Sequence, residues 1–379
     1  MQLQQHSFKK RKQMKTTRLI LVGGFLGSGK TTLLWEAAQQ IMKEGKRTAL
    51  ITNDQAPELV DTALLMHNKL KVAEVSGSCF CCNFTGLIEA LRNVRDEANV
   101  DVIIAEPVGS CTDLSATILQ PLKENMKREI QTSPLSVLAD PFQLEEILNG
   151  KTAGLHPSAA YIFKKQLEES YLILISKTDL IDANSLLKLV EQTKINYPQA
   201  EVKTISSKTG EGVEEWLQLV MNSNESGKQL ATVDYDIYAE GEAVLGWLNS
   251  TTQLTGKQVN WDAFANELMS KISQEIAKEN ASIGHVKFMI EQGENYLVGN
   301  LTGQNHNISF RGFGGTGNQA KLTMNARVEM SPKQLEEVIE KVLNDISIQS
   351  KIRLKKLTQK CIRPGRPNPT YRYMSVYKS

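Results

Sequence analysis

Short apolar runs alternate with longer stretches of helical period through the first 225 residues. The runs RLILVGG (18–24), RTALITN (47–53), VDVIIAEP (100–107), PLSVLAD (134–140) and SYLILIS (170–176) are mostly apolar rather than apolar at every second residue, while LKVAEVS (70–76) and AEVKTIS (200–206) are more mixed. Strands of the continuous kind are covered on both faces. The pattern therefore predicts a doubly wound α/β domain with a mostly parallel sheet over 18–225. NSNESGKQ (222–229) reads as a linker, and the texture then changes. A strand-like DYDIYAEGEAVLGWL (234–248) precedes a helix over Trp261–Lys278. Strand candidates HVKFMIEQ (285–292), NYLVGNL (295–301) and KLTMNARVEM (321–330) follow, then a last helix over Ser331–Asn344 that opens on Ser331-Pro332 and Glu336. This order predicts a smaller α+β domain over 226–350. RGFGGTGNQ (311–319) has neither a lysine nor a following helix and is expected to be a flexible loop.

Composition narrows the class. A chain of 379 residues is long enough for two cores, and 41% apolar with 23% charged residues is the make-up of a soluble protein. No apolar run approaches the roughly 18 residues that span a bilayer, so no membrane insertion is expected. Residues 1–17 are basic, but LILVGG behind them is too short for a signal segment, so a disordered leader and a cytoplasmic location are expected, with no nucleic-acid role. The net charge of +2 conceals a bias, because 351–379 holds nine Lys or Arg and no acid. This Pro/Arg-containing tail is either a contact surface or a solvated end.

The strongest chemical signal is GGFLGSGKTT, which fits G-x-x-x-x-G-K-[ST] between a strand and a helix. Gly24, Gly27, Ser28, Gly29 and Thr32 let backbone N–H groups turn around phosphates, and the helix adds its positive end. Lys30 supplies a point charge to the β- and γ-phosphates, and Thr31 a hydroxyl to Mg²⁺. Glu106 leaves an apolar strand and Asp54 another, at the sheet's ligand-binding end, so either would hold the metal's water shell or the attacking water. Gly109, three residues beyond Glu106, leaves room for the γ-phosphate. Lys177 and Asp179 follow a further strand, where an aspartate accepts from the two donors that guanine has and adenine lacks. Ser206, Ser207 and Lys208 stand ready to meet the base edge, so GTP is expected over ATP.

GSCFCC places Cys79, Cys81 and Cys82 within four positions, out of five cysteines in all. An odd count with three clustered is no secreted disulfide framework. In an extended segment Cys79 and Cys81 share a face and Cys82 opposes them, so a turn is needed before all three reach one ion. Three thiolates favour Zn²⁺, Co²⁺ or Cu⁺, with Cys111, Asp54, His67, water or a partner residue as a fourth ligand. Buried thiols that bind nothing are the plain alternative.

GGFLGSGKTT, SCFCC, EPVG and SKTDL, in that order, resemble the CobW/HypB/UreG class of P-loop GTPases and its CobW-like metallochaperone branch, over about Arg18 to Val220. The resemblance implies a GTPase. It makes Cys79, Cys81 and Cys82 the ligands of a transition metal, Zn²⁺ or Co²⁺, Glu106 to Gly109 the E-x-x-G element and Ser176 to Asp179 the guanine element. It also implies a metal-requiring client; because the sequence shows nothing resembling an arginine finger, hydrolysis is expected to be slow alone and to need dimerisation or a target protein. Ser176 stands where N-K-x-D has asparagine. NDQAPELVD has Asp54, Ala56 and Pro57 where the branch's N-E-x-G-E has glutamate, glycine and glutamate. Two other functions are open: a GTPase serving a cobalt-corrinoid protein or its methyltransferase, and a nucleotide-gated adaptor that delivers no metal.

Overall fold

The computed structural model describes residues 16–54, 59–67, 70–303 and 307–377. Most of the basic leader, Ala56 and Pro57 of the switch segment, and the His67 side chain lie outside the described residues.

The first unit begins β1 (Thr17–Gly24), α1 (Lys30–Lys43), β2 (Thr48–Asp54), α2 (Val60–His67), β3 (Lys71–Ser76), α3 (Phe84–Ala98) and β4 (Val102–Glu106). A π-helical turn at Ser115–Leu119 leads into α4 (Gln120–Asn125), β5 (Ile130–Thr132), β6 (Ser136–Ala139), α5 (Pro141–Leu148) and α6 (Pro157–Glu168). It closes with β7 (Leu172–Ile175), α7 (Ala183–Asn196), β8 (Glu201–Thr204), α8 (Val213–Asn222) and α9 (Tyr235–Ala243). The strands pair in parallel in the order β3-β2-β4-β1-β6-β7-β8, with β5 beside β1. Every residue of β1, β2, β4, β6 and β7 is buried, as continuous apolar runs require.

The second unit runs β9 (Gly246–Asn260), α10 (Trp261–Lys278), β10 (Ile283–Gln292), β11 (Asn295–Thr302), β12 (Asn307–Phe313), β13 (Thr316–Val328), α11 (Pro332–Ser350) and β14 (Arg353–Ile362). Its six antiparallel strands pair as β12-β11-β10-β13-β9-β14, and α10 and α11 cover one face around a core of their own. The two-part architecture, parallel α/β then antiparallel α+β, is the one the apolar pattern predicts.

Three segments depart from that pattern. Tyr235–Ala243 is a helix, not a strand: Asp234 caps it by accepting from the N–H groups of Asp236 and Ile237, and Tyr238, Gly241 and Glu242 are buried at helical spacing. Gly241 lets it lie on α6, because a Cβ there would stand 2.4 Å from the Ser158 carbonyl. With Ala231 and Val233, this stretch joins the first core, so the first unit gathers residues past the segment read as a linker. The glycine-rich 311–319 forms the β12–β13 hairpin rather than a loose loop, since the N–H groups of Gly314 and Gly315 donate to the Asp262 carboxylate at 3.0 and 2.8 Å. The tail begins as an edge strand, β14, and residues 366–377 return to the first unit, as described below.

Candidate nucleotide and metal site

The carboxyl ends of β1, β2, β4 and β7 open into a cavity of about 660 Å³. One wall is the loop from Leu26 to Thr32. Gly24, Gly27 and Gly29 have φ of +134°, +80° and +96°, and a Cβ at Gly24 would sit 2.5 Å from the Leu138 carbonyl. Only glycine fits there. Gly24 and Ser206 stand behind the lining, whereas Gly27, Ser28, Gly29, Lys30, Thr31, Thr32, Asp54, Glu106, Gly109, Lys177, Asp179, Ser207 and Lys208 are on it.

Lys30 Nζ donates to the carbonyls of Gly24 and Phe25 at 2.7 and 3.2 Å, and burial lowers its pKa to about 8. Thr31 Oγ1 donates to both Glu106 oxygens at 3.2 and 3.0 Å. Burial, reinforced by the Asp61 carboxylate, lifts Glu106 to about 7. Hydroxyl and carboxylate together form an oxygen pair suited to Mg²⁺. At the far end, Asp179 accepts from Ser206 Oγ at 2.7 Å and lies 3.7 Å from Lys208 Nζ, while Lys177 pairs with Asp140 at 2.8 Å. Ser176 Oγ turns back onto the Ala139 carbonyl, so it does not replace the missing asparagine amide.

Sequence reasoning missed the cavity's other wall, which the second unit supplies. Along β10, Val286, Phe288 and Ile290 enter the second core, so His285, Lys287 and Met289 face the first unit. Lys287 Nζ bonds both oxygens of Asp61 at 2.9 and 3.0 Å. Although burial lowers it, the Asp61 and Glu106 carboxylates outweigh that and raise its pKa. Arg327, at 1% exposure, reaches Asp54 and stacks on Trp247. Arg311 stacks on Trp35 of α1, 4.2 Å from the ring centre. Val60 and Leu64 of α2 pack against Met289 and Val298, and the Val60 N–H donates to Asn325. No local motif marks these residues, except that Asp61 closes the switch segment NDQAPELVD.

The thiols lie behind the β2 and β3 ends. After β3, Gly77 takes φ +95°, and the N–H groups of Cys82 and Asn83 donate to the Cys79 carbonyl, forming the turn that brings the motif together. The Sγ atoms of Cys79 and Cys81 are 3.1 Å apart, those of Cys81 and Cys82 3.8 Å, and all three lie within 4.8 Å of one another. Cys79 and Cys81 are buried and Cys82 half-buried. Hydrogen bonds from Cys111, Cys81 and Cys82 hold Cys79 well below the usual thiol range, while Cys81 and Cys111 are raised. Three sulfurs at this spacing are a donor set that fits a soft or borderline cation.

Two connections join thiols and cavity. Asn53, on the cavity wall at the end of β2, donates to the carbonyls of Val75 and Ser78 at 2.7 and 2.9 Å and accepts from the Phe80 N–H at 2.8 Å. The second is the 107–113 loop after Glu106. The tail covers the outer side: the Thr370 N–H donates to the Cys81 carbonyl at 2.8 Å, the Asn368 N–H to Cys82 Sγ at 3.2 Å, and Tyr371 meets Phe84 edge to face. Arg372 pairs with the buried Asp113 at 2.6 Å.

A Walker loop, a hydroxyl–carboxylate pair at Thr31 and Glu106, and an aspartate after β7, all at the carboxyl end of a parallel sheet, are the make-up of a P-loop nucleotide-binding protein. Residues 18–204 match the CobW/HypB/UreG nucleotide-binding domain, and this part of the chain belongs to that family of P-loop GTPases. It is 26% identical over 211 residues to zinc-regulated GTPase metalloprotein activator 1 of Dictyostelium discoideum, covering 48% of this chain and 44% of that one. It is also 26% identical over 218 residues to the zinc chaperone CobW of Pseudomonas aeruginosa, covering 50% and 56%. The chain thus spans about half the length of the curated relatives it matches. The Zn(II)-bound YjiA GTPase of E. coli aligns over 87% of this chain and 99% of its own at 17% identity, with a TM-score of 0.37, too loose a likeness to argue from. Among the described residues no helix is long and apolar enough to cross a membrane.

Proposed function

We propose that the chain hydrolyses GTP and uses the cycle to bind and release a transition metal at Cys79, Cys81 and Cys82, handing it to a metal-requiring client. The observation that carries this reading is Asn53: one amide on the nucleotide cavity holds three backbone groups of the loop that bears the thiols. A shift at the end of β2 cannot occur without moving that loop. The family membership and two relatives named for zinc favour Zn²⁺ over Co²⁺.

In this reading Lys30 leaves the Gly24 and Phe25 carbonyls for the β- and γ-phosphates. Thr31 and Glu106 would hold Mg²⁺, directly or through its waters, and the ion would offset charge on the phosphates. Asp54 is engaged by Arg327, which leaves Glu106 as the better candidate to orient water. Lys287 and Arg311, both on the wall of the cavity, bring cationic charge in cis, which stabilises a transferring phosphoryl group.

The test is Zn²⁺ affinity of the reduced full chain, by chelator competition, with GDP and with a non-hydrolysable GTP analogue. A tenfold or larger difference, about 1.4 kcal/mol of coupling, supports delivery, and linkage requires metal to bias nucleotide binding equally. Equal affinity, or none, would favour an adaptor with inert thiols.

A further inference from the structure

Three thiols leave one position of a tetrahedral metal to be filled. The next thiol in space belongs to Cys111, five residues beyond Glu106. It is buried in the same core as Cys79 and Cys81, outside the trio whose sulfurs lie within 4.8 Å of one another, so it joins their ion by a shift of its loop. Gln166 Nε2 fixes its backbone, donating to the carbonyls of Gly109 and Cys111 at 2.9 and 2.8 Å.

A second observation comes from another element. Glu242 of α9 is fully buried; its Oε1 accepts from Ser110 Oγ at 2.6 Å, and its Oε2 has no hydrogen-bond partner among the described residues. It lies within electrostatic reach of both Cys79 and Cys111. A buried carboxyl oxygen without a partner is costly unless a cation or a donor meets it. Beside a cluster of thiols, the group that would meet it is a soft or borderline dication with its sulfur shell.

We propose that Cys111 is the fourth ligand, closing a four-thiolate site with Cys79, Cys81 and Cys82, with Glu242 in the outer shell where carboxyl groups orient metal ligands. The proposal rests on the metal-binding reading above and sharpens its chemistry. A closed sulfur tetrahedron retains its ion, so release requires one ligand to leave. Cys111 is the ligand mounted on the loop that runs from Glu106 past Gly109, whose absent Cβ would approach Lys30 Nζ to 3.1 Å. Movement of that loop on a nucleotide would open the site at one corner.

The experiment is X-ray absorption at the zinc edge of the Zn²⁺-loaded full chain, wild type and Cys111→Ser. Four sulfur neighbours are expected in the wild type and three plus one lighter atom in the variant. The remaining cysteine, Cys361, donates to the Pro332 carbonyl in the second unit, so a count of four must include Cys111. Three sulfurs in both proteins would overturn the proposal and leave the three-cysteine site standing. No sulfur ligation in either would overturn the metal reading itself. Should Cys111→Ser melt too low to load, the wild-type count decides alone: four supports Cys111, fewer rejects it.

Discussion

Arg327 of β13 donates from Nη2 to Asp54 Oδ2 at 2.6 Å, across the boundary between the two units and with both groups buried. The same guanidinium bonds Asn249 and the Leu248 carbonyl, so one arginine ties the second sheet to the end of β2. The second unit is thereby a wall of the nucleotide cavity rather than an appended module.

Removing one partner of such a pair strands the other charge. Arg327→Ala is expected to cost about 3–5 kcal/mol, with Arg327→Ala/Asp54→Asn costing less than the sum of the single changes. Urea unfolding followed by tryptophan fluorescence measures both. An Arg327→Ala cost near zero, or strict additivity, would show that the pair does not couple the units.

Proton release at Glu106 is a second expectation. With a pKa of about 7 it is mostly protonated near pH 6.5, whereas Lys30, at about 8, is already charged. Binding of magnesium and nucleotide needs the carboxylate, so affinity should rise as pH climbs towards 7, approaching roughly tenfold per unit well below it. Calorimetry near pH 6.5 in two buffers of different ionisation heat reads the protons released, and Glu106→Gln should abolish them. Equal heats in both buffers for the wild type would contradict the assignment.

Guanine selection should depend on Asp179, oriented by Ser206 Oγ. Asp179→Asn replaces an acceptor with a donor and is expected to lose about 1.5–3 kcal/mol of GTP affinity, roughly ten- to hundredfold, while improving binding of xanthosine triphosphate, which carries a carbonyl in place of the amino group. Fluorescent-nucleotide titrations decide it; unchanged GTP binding would place the base elsewhere.

Most of the first unit was legible because its signals are local. A buried parallel strand needs a continuous apolar run, and a phosphate loop needs glycines at fixed spacing. The turn that gathers Cys79, Cys81 and Cys82 could be expected from Gly77 and Asn83. What stayed hidden is what long-range packing decides. Tyr235–Ala243 carries alternation compatible with a strand, and it is helical because Gly241 permits contact with α6. Lys287 and Arg327 sit in strands that look ordinary until the second sheet docks on α2. The basic tail gave no hint that Thr370 and Asn368 would address the cysteine loop.

That tail yields a further prediction. Arg372 joins Asp113 and stacks on Tyr235, holding residues 368–373 over Cys81 and Cys82. Arg372→Ala removes one charge-assisted bond, about 1.5–3 kcal/mol, so opening of the cover should grow roughly ten- to hundredfold. Alkylation of Cys82 in the metal-free protein, followed by mass spectrometry, should quicken accordingly. An unchanged rate would mean that the tail does not limit access.

The cover also sets an order of events during synthesis. Cys82 leaves the ribosome nearly three hundred residues before Asn368 and Thr370, whose backbone N–H groups meet its sulfur and the Cys81 carbonyl. Cys79 and Cys81 are enclosed once the first unit has folded on itself, whereas Cys82 waits for its cover until the tail is made. The covered site therefore exists only after Asn368 and Thr370 have been made, and a nascent chain must reach that point with Cys82 still reduced.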